Sequence, residues 1–225
     1  MYREYDMEHS VFERQGQFTD RIISPGVYNL IIGLTLLWGF LVNGWMVGNV
    51  SVEWIRSINS WVFFGGYFAS CLLGIYLFSR SSHPGVSFIG YNLVVVPFGL
   101  IVNLVVSRYS PDLVLQAIRI TAIVTVAMMV LGTLFPAFFQ RIASALGIAL
   151  LLVIVVELVE IFVFGIHHEI LDWVVVLIFC GYIGYDWGRA NQIPKTLDNA
   201  IDSAAALYMD IINLFLRILR ILGRK

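Results

Sequence analysis

The sequence predicts an all-α integral membrane protein, a seven-transmembrane-helix bundle with its C-terminal helix at the centre. Three observations carry this. The 225-residue chain is 59% hydrophobic and 13% charged, against about 25% charged in a soluble domain, and its mean hydropathy is +0.84. Seven apolar runs come close to the ~20 residues a helix needs to cross a bilayer. The last run, Ser203 to Leu222, is not uniformly apolar. Asn199, Ser203, Ala206, Asp210, Asn213, Arg217, Arg220 and Arg224 follow at alternating steps of four and three. They therefore share one helical face, while Leu, Ile and Phe cover the others. Such a helix either lies flat on a membrane or occupies the middle of a bundle. Asp210, near mid-helix, selects the bundle, because a carboxylate facing lipid is costly.

Taken in order, residues 1–26 are a polar tail with three arginines and five acids, and residues 27–225 form a single transmembrane bundle domain. No cleavable leader is expected, since the tail is charged and the first apolar run is already of span length. The spans are read as about Val27–Gly48, Ile58–Ser79, Val86–Val106, Leu113–Phe135, Ile142–Phe164, Glu169–Trp187 and Ser203–Leu222. The links are short, which leaves no extramembrane domain and confines any chemistry to the bundle. The longest link, Gly188 to Asp202, holds Pro194, which disfavours one continuous helix. A hairpin turning near Asp198 brings Asp186 and Asp210, each twelve residues from it, to the same depth. With the N-terminus inside, seven basic residues fall on the inner side and six on the outer, which sets no orientation. A re-entrant last segment would suit the charges better, but its length favours a full crossing.

Several polar residues lie inside the spans. Asn43, Asn92 and Asn103 are expected to hydrogen-bond between helices. Arg119 in span four and the pair Glu157 and Glu160 in span five are expected to pair with one another. Together with Asn213 they are also candidates for an ion pathway. His167-His168-Glu169 reads as a solvated loop rather than a zinc site, which would need a third ligand. Cys71 and Cys180, in separate apolar runs, read as inert packing. No enzyme is expected: there is no G-x-S-x-G, no H-E-x-x-H and no phosphate loop. Two level acids suggest an intramembrane aspartyl protease, but Asp186 shares only a Tyr-Asp element with those enzymes, and Asp210 lacks their Gly-Leu-Gly-Asp context. The net charge of −1 points to no nucleic acid partner.

Three C-terminal stretches carry a more specific signal. They are Gly181-Tyr182-Ile183-Gly184-Tyr185-Asp186, Leu207-Tyr208-Met209-Asp210-Ile211-Ile212-Asn213-Leu214-Phe215 and Leu219-Arg220-Ile221-Leu222-Gly223. Together they resemble the signature of the Bax inhibitor family, the transmembrane Bax inhibitor motif proteins, in a bacterial-type spacing. Ser107-Arg108-Tyr109 and Thr121-Ala122 are similar to the family more weakly. The resemblance implies a seven-helix bundle wrapped round its last helix, in a bacterial inner membrane. It also implies a pH-sensitive calcium leak in which Asp186 and Asp210 sense protons, with calcium as the transported or bound ion and no other cofactor. An arginine closing span two would latch the pair, and Arg80 holds that place. The competing implication is a membrane-embedded regulator of a membrane protease, or of cell-death and stress signalling, without transport. The chain departs from the family pattern in the position of Pro97 and in the charges Arg119, Glu157 and Glu160.

Physical chemistry supports the implied sensor independently. Two carboxylates within hydrogen-bonding distance cannot both ionise cheaply, so the pair holds one proton and titrates as a unit that can approach neutral pH. Losing that proton creates repulsion, relieved by an arginine, by bound Ca²⁺ or by separation of the helices.

Overall fold

The computed structural model describes residues 21–224, apart from residues 161, 162, 164, 166 and 167. Among these residues the chain forms α1 (Pro25–Asn49), α2 (Val52–Ser57), α3 (Ser60–Arg80), α4 (Pro84–Val106), α5 (Pro111–Leu134), α6 (Pro136–Val159), α7 (Glu169–Ala190) and α8 (Leu197–Leu222). Local chemistry sets the starts. Proline opens α1, α4, α5 and α6, where its missing N–H costs nothing and its φ is already helical. Ser24, Asn59, Ser110 and Thr196 accept hydrogen bonds from first-turn N–H groups of α1, α3, α5 and α8. These signals move two boundaries from their expected places. Pro136 starts α6 before Ile142, and the Thr196 cap starts α8 before Ser203. Asp198 is therefore already helical, and the link shrinks to residues 191–196.

Six helices, α1 and α3 to α7, are long and apolar enough to cross a membrane. With 26 residues α8 is as long, but it is too polar to stand in lipid, and it does not. It packs against α1, α4, α5 and α7, while α3 lies outside on α4 and α6 outside on α7. Leu207, Leu214 and Leu219 of α8 are completely buried, whereas Trp61 of α3 and Leu177 of α7 face outward. α8 spans the bundle from end to end. Near its start, Ser87 in the first turn of α4 donates to the Asp198 carboxylate (2.7 Å), and the Tyr28 hydroxyl of α1 lies 3.1 Å from that of Ser203. Near its other end, Arg217 and Arg224 reach Asp172 in the first turn of α7. Because α7 runs opposite to α1 and α4, those two ends lie on opposite sides, and α8 is a seventh crossing rather than a re-entrant segment.

Small residues set how closely the helices approach. A Cβ on Gly74 of α3 would stand 2.5 Å from the Gly90 carbonyl oxygen of α4. Likewise, one on Gly188 of α7 would stand 2.8 Å from the carbonyl oxygen of Gly132 in α5, and Gly132 itself abuts Gly184. Backbones at these crossings touch directly. Pro97 sits inside α4 and cannot donate to the Leu93 carbonyl. The Ser70 hydroxyl of α3 donates to that oxygen instead (2.7 Å), so the helix continues. The three asparagines link helices as expected. Asn43 donates to the Tyr208 hydroxyl (2.5 Å), and Asn92 accepts from the Trp38 indole (3.0 Å). Asn103 donates to the Met46 and Val50 carbonyls at the end of α1 (3.2 and 2.7 Å).

Candidate functional site

Asp186 and Asp210 meet. Each is 7% exposed, and their carboxyl groups are hydrogen-bonded to one another across the α7–α8 contact. A hydrogen bond between two carboxyl groups requires a proton on one of them. The Oδ2 atom of Asp210 is buried and has no hydrogen-bond partner among the described residues.

The register that joins them is not that of a simple hairpin. Asp186 lies four residues before the end of α7, but Asp210 lies thirteen after the start of α8. At ~1.5 Å per residue, α7 ends roughly 14 Å short of the level at which α8 begins. The six link residues turn back on Trp187 and Arg189 through Asn191, Gln192 and Ile193 and then run on to Thr196, covering that drop. Ile23 anchors the link, its N–H donating to the Lys195 carbonyl (2.9 Å). On the α5 side, the Gly132, Gly184 and Gly188 crossing brackets Asp186, and the Trp187 indole donates to the Thr133 hydroxyl (2.8 Å).

Arg189, one turn beyond Asp186, is the cation whose charge acts on it. Its guanidinium donates to the Tyr185 hydroxyl (2.8 Å) and lies over that ring. Tyr182, one turn before Asp186, is within electrostatic reach of both carboxyl groups. Arg80 closes α3, on the outer layer that packs against α4. Asn213 lies one turn from Asp210, half-buried, and donates to the Met209 carbonyl of its own helix (2.7 Å). Among the described residues no group of three or more His, Cys, Asp or Glu is placed to hold a metal ion. The pair thus offers two carboxyl groups where Ca²⁺ takes six to eight oxygens; an ion there would keep most of its water.

The other charged span residues assemble elsewhere, and not as expected. Glu157 pairs in a fork with Arg217 of α8, its second hydrogen bond measuring 2.8 Å. Glu160 accepts from the backbone N–H of His168 (3.1 Å) and meets that ring at 2.5 Å. Arg119 pairs with neither acid and is exposed on the outer face of α5. The central helix supplies the nearer cation, so the expected pairing across spans four and five does not form. His167 lies outside the described residues.

Asp172 is the residue the sequence did not single out. It is completely buried and accepts from Arg217 (2.8 Å), Arg220 (3.2 Å) and Arg224 (2.5 Å). A signal for it existed. Asp172 lies fourteen residues before Asp186, and Arg224 fourteen after Asp210, so the register that pairs the aspartates also levels Asp172 with Arg224. α8 thus carries Asp210 at one depth and its arginines at another, met on α7 by Asp186 and Asp172.

Fold and site together define a multi-pass integral membrane protein built round a buried, charged central helix. Comparison with known proteins narrows this class. The chain belongs to the family described as Inhibitor of apoptosis-promoting Bax1, whose model matches residues 22–225. It is 28% identical over 176 residues to an uncharacterized protein of Helicobacter pylori strain J99, covering 77% of this chain and 73% of that one. An uncharacterized membrane protein of Streptococcus pyogenes serotype M3 is 29% identical over 134 residues, 56% of this chain and 58% of its own. A BI1-like protein of Arabidopsis thaliana is 57% identical over 47 residues, 20% of this chain and 18% of its own.

Proposed function

We propose that this protein is a pH-sensitive calcium leak channel gated by the proton that Asp186 and Asp210 share. The contact between two buried carboxyl groups inside a membrane bundle supports this reading most directly. While one proton bridges them, α7 and α8 are held together at that depth. Once it leaves, two like charges stand together in a poorly solvated site and must separate or acquire a cation. A passing Ca²⁺ meets that need, and an acid-lined interior favours cations over anions. An arginine meets it too. Arg189 stands next to the pair, and Arg80, at the end of α3, is the second candidate for the latch.

Ca²⁺ flux into liposomes holding only this protein, measured between about pH 5 and pH 8, tests the proposal. Wild-type flux should vary with pH. Asp186→Asn and Asp210→Asn should each abolish that variation, because each removes one member of a single titrating unit. Arg189→Gln and Arg80→Gln separate the latch candidates, since loss of the latch raises flux at the pH where the pair is ionised. Unchanged pH dependence in either Asn variant would overturn the shared-proton sensor. Wild-type flux no greater than that of empty liposomes would overturn the leak. It would favour the regulator that the family's description as an inhibitor suggests, acting on a membrane protease or another membrane protein.

A further inference from the structure

The close contacts divide the bundle into two groups of helices. In the first, α8 is held to α1 and α4 by Asn43 with Tyr208, Tyr28 with Ser203 and Ser87 with Asp198. Tyr91 of α4 donates to the Thr35 carbonyl of α1 (2.9 Å), and Ser70 ties α3 to α4. Backbones come close within this group at Gly74 and Gly90. The second group is α5, α6 and α7. Gly132 of α5 abuts Gly184 and Gly188 of α7, Gly181 and Gly184 lie against Leu146 and Phe139 of α6, and Trp187 donates to Thr133. Both groups are thus joined internally by glycine crossings and by hydrogen bonds between neutral side chains.

The seam between the groups is built differently. α8 contains no glycine. On one side of it, α1 and α5 leave a cavity of about 510 Å³ whose lining holds no charged residue. The polar ties from α8 to the second group run through carboxyl groups, at two depths. Towards the end of α8, Glu157 grips Arg217, and Asp172 grips Arg217, Arg220 and Arg224. A guanidinium does not titrate, and opposite charges hold together without a shared proton. Seven residues earlier in α8, about 10 Å along the helix, the tie is Asp186 with Asp210, which lasts only while one of them is protonated. Tyr182, Tyr185 and Arg189 of α7 are the titratable and charged groups around that pair. α5 presents Gly132 and Thr133 there, α6 presents Phe139, and α8 presents Asn213, none of which titrates. One tie across the seam therefore depends on pH, and the other stays closed.

We propose that α5, α6 and α7 move as one body against α1, α3, α4 and α8, pivoting on the arginine cluster, so that loss of the shared proton opens the seam at the end where α8 begins. This rests on the shared-proton reading and adds which helices move and where they stay joined. The test is double electron–electron resonance on the full chain in calcium-free liposomes, with Cys71→Ala and Cys180→Ala as background. Spin labels go on exposed positions. Leu30→Cys with Leu134→Cys spans the seam where α8 begins, and Trp45→Cys with Leu115→Cys spans it where α8 ends. Leu30→Cys with Ile89→Cys stays within the first group. Between about pH 5 and pH 8 the first distance should lengthen by at least about 3 Å, the room one water needs between the carboxyl groups. The other two should not change. Asp210→Asn keeps a neutral hydrogen bond to Asp186 and should hold the first distance short at both pH values. Equal lengthening at both ends of the seam, lengthening within the first group, or wild-type lengthening in Asp210→Asn would overturn the proposal. Calcium flux that varies with pH while all three distances stay fixed would overturn the pivot and leave the sensor standing. The expected lengthening without calcium flux would overturn the leak and support the two-body motion.

Discussion

Single hydrogen bonds decide how this bundle tolerates its irregularities, and the one at Pro97 is the simplest to test. Ser70→Ala leaves the Leu93 carbonyl without a donor and should cost about 1–2 kcal/mol, seen as a lower melting temperature in detergent. Adding Pro97→Ala restores the missing backbone N–H and should recover most of that loss. A Ser70→Ala protein as stable as the wild type would show that the carbonyl needs no outside partner. Ionic contacts make a second contrast. Asp172→Ala leaves three arginines around an empty centre and should destabilise by roughly 3–5 kcal/mol. Arg119→Leu, on the exposed face of α5, should change stability by less than about 0.5 kcal/mol. Urea or thermal unfolding of both variants checks this, and a reversed order would refute the assignment of partners. Pro97, Arg119, Glu157 and Glu160 were all conspicuous in the sequence. The partners of the Leu93 carbonyl under Pro97 and of Glu157 were not, because they come from other helices 23 and 60 residues away.

Among the elements, the α7–α8 pair carries the site, and its geometry depends on α5 as much as on the link. Gly184→Leu would drive a branched side chain into Phe139 of α6 at the crossing beside Asp186. It should cost about 1–3 kcal/mol and displace the carboxyl pair. Gly33→Ala, whose Cβ would meet nothing within 4 Å, should stay within about 1 kcal/mol of the wild type. Comparing their melting temperatures separates a packing role for the glycines from a general effect of removing glycine. The meeting of Asp186 with Asp210 was legible in the sequence as a register of equal separations. The turn itself was not where that register suggested: Thr196 starts α8 early, and the six-residue link makes up the difference in depth.

For the whole molecule, the central helix should be invisible to lipid. Cysteines placed at Ser203, Ala204 and Leu214, all nearly or completely buried, should resist a membrane-soluble maleimide. Cysteines at Trp61 and Leu177 should label readily. Strong labelling at the first three positions would contradict a bundle closed round α8. The same burial explains why α8 can hold three aspartates and two arginines: neighbouring helices, not lipid, are its surroundings, and α6 and α7 supply acids for the arginines.

The sequence by itself determined the class of protein, the number of crossings, the polar face of α8 and the two acids that belong together. These follow from period, length and the cost of charge in hydrocarbon, which act on a helix whatever its neighbours. The inward direction expected of that face holds at Asn199, Ser203 and Asp210, whereas Ala206, Asn213, Arg217 and Arg220 are half-buried and Arg224 is exposed. Tertiary structure alone decided the partners: Arg217 rather than Arg119 for Glu157, three arginines for Asp172, Ser70 for the carbonyl under Pro97, and an open side between α1 and α5. Those depend on which helix faces lie together at which height, and helix-to-helix register is set by glycine crossings and a short link that periodicity does not encode.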